Sequence, residues 1–249
     1  MIKFFLKNLL LFFRIKYGQY KEQERWLQKD YHFDQDKHPI RKIHNANSGW
    51  SHQNDRIFRY RKYDTYSDYL VHQKQKFTEI LKLRGGLSSQ DLLSYRIKFF
   101  KRFRFLKKIL PWEANILCLG ARQGTEVEVL RDLGFKNSVG IDLNPGPCNE
   151  YVFYGDFMKT PFKSHSFDLL YTNCLDHSFD LSSFFQEQVR ILKTGGFALL
   201  DLPVQDTLGP FESVEWKSES VLRRFISQFF PILIKTKTEK NWKWLLLKK

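Results

Sequence analysis

The sequence predicts an α/β fold: five parallel strands alternating with helices, closed by a C-terminal antiparallel hairpin and preceded by a helical N-terminal extension. Three observations predict it. The apolar run Ile116–Leu119 is followed by Gly120 and Gly124, then by Val127, Leu130 and Leu133 at helical spacing, which reads as strand, turn and helix. A second short apolar strand, Val139–Ile141, ends in the carboxylate of Asp142. In the tail, Ile232, Ile234 and Thr236 alternate with Leu233, Lys235 and Lys237, and Trp242, Trp244 and Leu246 follow a Lys240-Asn241 turn.

With 249 residues the chain suits one α/β domain and an extension, which we place at 95–249 and 1–94. The net charge of +14 points to nucleic acid, an anionic membrane surface or an acidic substrate, or else to a lysine-rich proteome. Cys118, Cys148 and Cys174 have no metal-ligand spacing, and an odd number argues against a disulfide framework. Cys118 falls inside an expected strand and Cys174 near the end of another, and both read as small core residues. A reducing, cytoplasmic setting fits them.

Met1–Tyr20 is apolar but broken by Lys7 and Arg14, too short a run to cross a bilayer. No small-residue cleavage site follows it, which argues against a signal peptide. Two readings stay open: a helix at an anionic membrane surface, on the inner face, or a helix packed on the domain. Lys21–Trp50 is polar, with His32, His38 and His44 lacking metal-like pairing and a turn cluster at Asn45–Gly49. It reads as a loop or a cover over substrate. Asp64–Leu83 reads as a helix from Tyr66, Tyr69, Leu70, Phe77, Ile80 and Leu81. In Ser94–Trp112, Phe99, Phe103, Leu106 and Leu110 form one stripe, and Arg96, Lys98, Lys101, Arg102, Arg104, Lys107 and Lys108 fill most of the rest. That is an amphipathic helix packed on the sheet, its basic face left to solvent or to an anion.

After Asp142, the segment Asn144-Pro145-Gly146-Pro147 leaves less than the roughly dozen residues a parallel crossover needs, so an abbreviated turn should lead to the strand Tyr151–Tyr154. Gly155-Asp156-Phe157 follows. Phe167–Asn173 is the fourth strand, and Cys174-Leu175-Asp176-His177 sits at its carboxyl end, where open α/β sheets bind ligands. Asp180 should cap a helix running to Leu192, and Gly195 and Gly196 should turn the chain into the fifth strand, Phe197–Leu202. The loop Pro203–Trp216 is long enough to reach over the site. Val221, Leu222, Phe225, Ile226 and Phe229 give a last helix, stopped by Pro231.

Taken in order, residues from about Ile116 to Lys249 resemble class I S-adenosylmethionine (SAM)-dependent methyltransferases with a type 11-like domain. That family carries G-x-G-x-G after the first strand and an acid at the end of the second. The present turn is Gly120-Ala121-Arg122-Gln123-Gly124, with Arg122 at the middle glycine and Cys118 at an ordinarily acidic position. Pro161-Phe162 with Phe167-Asp168 matches P-F-x-x-x-x-F-D, and Leu192-Lys193-Thr194-Gly195-Gly196 matches Leu-Lys-Pro-Gly-Gly apart from Thr194. Tyr63, Tyr66, Tyr69, Leu70, His72 and Gln73 resemble a tyrosine-rich segment that some members carry ahead of the domain.

The resemblance implies a Rossmann-like seven-stranded methyltransferase sheet, transferase activity and SAM as cofactor, with no metal. It places Gly120, Ala121 and Gly124 on the cofactor's methionine part, with Arg122 at its carboxylate or facing solvent. It places Asp142 at the ribose, Asp156 and Phe157 at the adenine, and Asn173 and Leu175 near the sulfonium, with Leu143 as a further cofactor-binding residue. His177 is the candidate general base, because a neutral imidazole is available near pH 7, and Asp176 stands beside it. No Asn/Asp-Pro-Pro-Tyr follows the fourth strand and no catalytic cysteine pair appears, which disfavours DNA-base methylation. The expected acceptor is a small molecule or a sugar- or lipid-linked group. The alternatives are a non-catalytic binding or scaffold protein of the same fold and, from the charge, an RNA methyltransferase.

Overall fold

A computed structural model describes residues 50, 57–84, 89–145, 150–203, 211–239 and 242–249. Met1–Tyr20, the three histidines of 32–44 and Cys148 lie outside the described residues. Seven strands form the main sheet in the order β4-β3-β2-β5-β6-β9-β8. They are β2 (Ile116–Leu119), β3 (Ser138–Asp142), β4 (Val152–Tyr154), β5 (Phe167–Thr172), β6 (Leu192–Pro203), β8 (Ile232–Glu239) and β9 (Trp242–Lys248). β2 to β6 are mutually parallel, and β9 runs antiparallel to both β6 and β8. The expected five-strand parallel core with a C-terminal hairpin is therefore present.

The alternation of side chains along each strand divides the interior in two. Leu117, Leu119, Leu170, Leu200 and Leu247 face one side, where they meet Phe184, Phe185, Leu222 and Ile226. Ile116, Cys118, Leu169, Tyr171, Leu199 and Leu246 face the other, against Phe99, Phe103, Val127 and Leu130. The helices that cover these faces are α1 (Tyr66–Arg84), α2 (Ser89–Phe103), α3 (Thr125–Asp132), α4 (Leu181–Ile191) and α5 (Glu219–Ile226). Covering both faces is what lets the parallel strands be apolar runs. Phe184 and Phe185 are fully buried, each contributing about 1.5–3 kcal/mol of transfer free energy. Asp180 caps α4 by accepting the Ser183 N–H at 2.9 Å. Among the described residues there is no helix between β3 and β4, in line with the short Asn144-Pro145 connection, and no helix is long and apolar enough to cross a membrane.

The structure departs from the sequence reading in four places. The helix expected over Ser94–Trp112 starts at Ser89 and ends at Phe103, continuing as a 3-10 turn over Arg104–Lys108, so the expected domain boundary at 94/95 falls inside α2. Its apolar stripe is buried as expected, but part of its basic face also turns inward. Arg96 pairs with Glu128 (2.5 Å) and Asp132 (2.6 Å) on α3, and Arg102, 1% exposed, pairs with Asp201 at 3.1 Å. The fifth strand starts at Leu192 rather than Phe197, because Leu192 already pairs with Phe167 and Lys193 holds Asp168 at 2.9 Å. Finally, the loop Pro203–Trp216 contains a strand, β7 (Val214–Trp216), that pairs antiparallel with β1 (Phe58–Tyr60) in a separate ribbon. The alternating tail is real, yet β8 is an exposed sheet edge and the buried residues, Trp244–Leu247, all lie on β9.

Candidate active site

The carboxyl ends of β2, β3 and β5 meet at a cavity of about 450 Å³, a size ordinary for a small-ligand site. Its floor is the turn from β2 into α3. Gly120 (φ 71°) and Gly124 (φ 72°) both take left-handed backbone. At Gly120 no other residue fits: a β-carbon there would lie 2.2 Å from Cys174 Sγ. Arg122, where the family resemblance expects glycine, also has a positive φ of 33°. Its N–H donates to Asp142 Oδ2 at 3.1 Å, and the amides of Gly120 and Ala121 donate to the Ile141 carbonyl at 2.9 and 3.0 Å. Asp142 Oδ1 accepts the Asn144 N–H at 2.7 Å, so both carboxylate oxygens are fixed at the cavity wall with lone pairs to spare.

Of the residues singled out in the sequence, Gly120, Ala121, Arg122, Asp142, Leu143, Phe157, Asn173, Asp176 and His177 line this one cavity. Gly124 forms the turn between two lining residues, Gln123 and Thr125. Two others lie elsewhere. Leu175 is 1% exposed and packs in the core beneath β5, because the 3-10 turn Leu175–His177 rolls it under the chain. Asp156 lies outside the cavity wall. It accepts the Met158 N–H at 2.8 Å and the hydroxyl of Tyr66, whose ring stacks on Tyr69.

The end of the cavity next to Cys174 is ionic. Ligand atoms of Asp176, His177 and Glu212 lie within 4.8 Å of one another, and Lys76 Nζ is 2.7 Å from His177 Nε2. His177 Nδ1 is 2.9 Å from the Phe211 carbonyl, which only accepts, so Nδ1 carries the proton and Nε2 takes its bond from Lys76. The expected general base thus has neither ring nitrogen open. Burial first, and the Lys76 charge second, hold the imidazole well below its ordinary pKa, so it is neutral. Burial also lowers Lys76, reinforced by Arg122. The Asp176 carboxyl is pushed up to about 7 by burial and by the facing Glu212. Glu126, in the first turn of α3, is pushed up to about 8 by burial, with Asp142 adding to the effect.

Lys76, Glu126 and Glu212 were missed in the sequence, as were the wall residues Tyr95, Phe99 and Trp242. Tyr69, Gln73 and Lys76 share one face of α1 at i, i+4, i+7, a spacing that could have revealed the first of these. Glu212 carried no local signal. It is placed by long-range pairing: Arg61 Nε donates to its carbonyl at 2.8 Å, and the next residue, Ser213, donates its N–H to the Asp176 carbonyl at 2.7 Å.

Residues 117–200 match the family model of the methyltransferase domain. No curated protein matches the sequence. Among solved structures, a Burkholderia thailandensis 1,6-didemethyltoxoflavin-N1-methyltransferase, with its substrate and S-adenosylhomocysteine bound, aligns at TM-score 0.58 and 12% identity, over 81% of this chain and 99% of that one. A SAM-dependent methyltransferase of Thermotoga maritima, described as a possible histamine N-methyltransferase, aligns at 0.51 and 16% identity, over 72% and 99%. A putative methyltransferase from Haloferax volcanii, in complex with the Trm112 methyltransferase activator, aligns at 0.53 and 14% identity, over 71% and 96%. Residues 117–200 thus match a methyltransferase domain, and the strand order and the glycine turn facing Asp142 are those of the Rossmann-like methyltransferase fold that these structures share.

Proposed function

We propose that the protein transfers a methyl group from SAM to a small-molecule acceptor, free or carried on a sugar or lipid, inside the 450 Å³ cavity. The observation that carries this is the joint placement of the glycine turn, Asp142 and the Asp176–His177 turn around one cavity. The residues fit the cofactor: Gly120 leaves a cradle that a β-carbon would fill, and Asp142 is held by two backbone amides with lone pairs left for ribose hydroxyls. Gly120, Ala121 and Gly124 would bed the methionine part, Phe157 the adenine, and Asn173 would stand near the sulfonium. Asp156 can serve the adenine only if it shares its carboxylate with Tyr66. When bound, the cofactor supplies an electrophilic methyl group. The protein's own work is to hold the acceptor in line with that methyl, exclude water and receive a proton. Asp176 and His177 form the polar wall on that side.

An RNA acceptor is less well supported than the charge suggests, because Arg96 and Arg102 are spent on ion pairs inside the fold. For residues 1–20 both readings stand as proposals, a helix at an anionic membrane face or one packed on the domain, with the protein otherwise cytoplasmic. Calorimetric titration with SAM tests the main reading. Binding in the micromolar range that is lost in Asp142→Ala supports it. No binding by the wild-type protein favours the scaffold alternative.

A further inference from the structure

Two carboxylate oxygens at the ionic end of the cavity, Asp176 Oδ1 and Glu212 Oε2, are shielded from solvent and accept no hydrogen bond. A buried acceptor atom left without a donor costs about 1–3 kcal/mol, more when charged. The chain retains two of them side by side in the wall of one cavity. The His177 ring beside them is already committed: Nδ1 to the Phe211 carbonyl and Nε2 to Lys76. These two oxygens are acceptors without a donor, so a partner that satisfies them brings donors.

We propose that the methyl acceptor is an amine or a hydroxyl compound, that its N–H or O–H donates to Asp176 Oδ1, and that a second donor meets Glu212 Oε2. This rests on the methyltransferase reading above. In the step, the nitrogen or oxygen lone pair forms the bond to the methyl carbon, and the carbon–sulfur pair leaves with sulfur. The proton released from the acceptor passes to Asp176 Oδ1. Asp176 is then the catalytic base and Glu212 holds the acceptor in line. Lys76 keeps His177 neutral and fixed, which makes both positioning residues. Burial and the neighbouring Glu212 raise the Asp176 carboxyl to about 7, close to the pH at which a general base is most effective. A carbon acceptor brings no N–H or O–H at the reacting atom, and a thiol brings only a weak S–H donor.

The test uses the full-length protein and SAM carrying a ¹³C methyl group. Two acceptor pools are supplied: a protein-free small-molecule extract of the expressing cells, and a defined set of primary amines and polyols. The ¹³C shift of the product tells methyl on nitrogen or oxygen from methyl on carbon or sulfur. We expect label on nitrogen or oxygen. In Asp176→Asn, transfer should fall at least about 100-fold with SAM binding kept by calorimetry, and the rising limb of the pH–rate profile near neutrality should vanish. In Glu212→Gln, KM should rise more than kcat falls. Label only on carbon or sulfur overturns the proposal, as does Asp176→Asn with wild-type rate and pH profile. SAM binding without transfer to either pool also overturns it. If the wild-type protein binds no SAM, the methyltransferase reading falls and this proposal with it.

Discussion

Cys174 places its Sγ 2.2 Å from where a β-carbon on Gly120 would fall, so the turn that floors the cavity is set by a side chain at the end of β5. Gly120→Ala therefore carries two penalties. The left-handed backbone costs about 1–2 kcal/mol, and the collision with sulfur adds to it. Denaturant titration should show Gly120→Ala losing more than the backbone penalty alone. Gly120→Ala made in a Cys174→Ala background should recover the excess and keep the backbone part. Equal losses in both backgrounds would mean that the sulfur does not shape the turn.

Asp201 and Arg102 form a buried pair that ties α2 to the end of β6. Asp201 is 1% exposed, and it also accepts the Tyr171 hydroxyl at 3.2 Å and faces Lys98 at 3.5 Å. Removing one member leaves the other with a more distant partner only, Lys98 for Asp201 and Glu239 for Arg102, each at 3.5 Å, at a cost of up to about 3–5 kcal/mol. Asp201→Ala and Arg102→Met should each fall in that range by urea denaturation, and the double variant should lose much less than their sum. Additive losses would show that the two side chains are not coupled.

The same region shows what the sequence could and could not reveal. The apolar stripe of Phe99, Phe103 and Leu106 was legible because helical spacing is a local property. The fate of Arg96 and Arg102 was not, since a basic residue reads as solvated until its partners on α3 and β6 are known. Likewise Gly120, Gly124 and Asp142 were legible from strand–turn–helix punctuation. Lys76 and Glu212 reach the site only through the docking of α1 and the β1–β7 ribbon, and neither has a signature within its own segment. The burial of the Leu175 side chain was not legible either, because the 3-10 turn that rotates it under the chain has no local signature.

Glu126 makes stability depend on pH. Its carboxyl is raised to about 8 in the folded chain, whereas an unfolded glutamate releases its proton near 4.3. Between these values the folded state binds more protons, so stability falls as pH rises and the loss is complete above the folded value. His177, held neutral, acts in the opposite sense below about pH 6.5. The window to read is therefore about pH 6.5 to 8. There the wild-type unfolding free energy should decline relative to Glu126→Gln, by at most about 1.4 kcal/mol per pH unit. Parallel curves for the two proteins would show that Glu126 does not titrate in this range.

Lys76 and His177 make the last prediction, and it needs no acceptor. The imidazole is kept neutral first by burial and second by the ammonium 2.7 Å from Nε2. In the wild-type protein its ring proton resonances should therefore not shift between about pH 5 and 8, a range in which an ordinary histidine titrates. Lys76→Met removes the second cause and leaves the first. The His177 pKa should then rise while staying below the usual value, and the resonances should begin to move at the acidic end of the range. The Nδ1 proton should stay on Nδ1, because the Phe211 carbonyl at 2.9 Å still requires a donor. A His177 that titrates normally in the wild-type protein would return it to the role of base and displace Asp176.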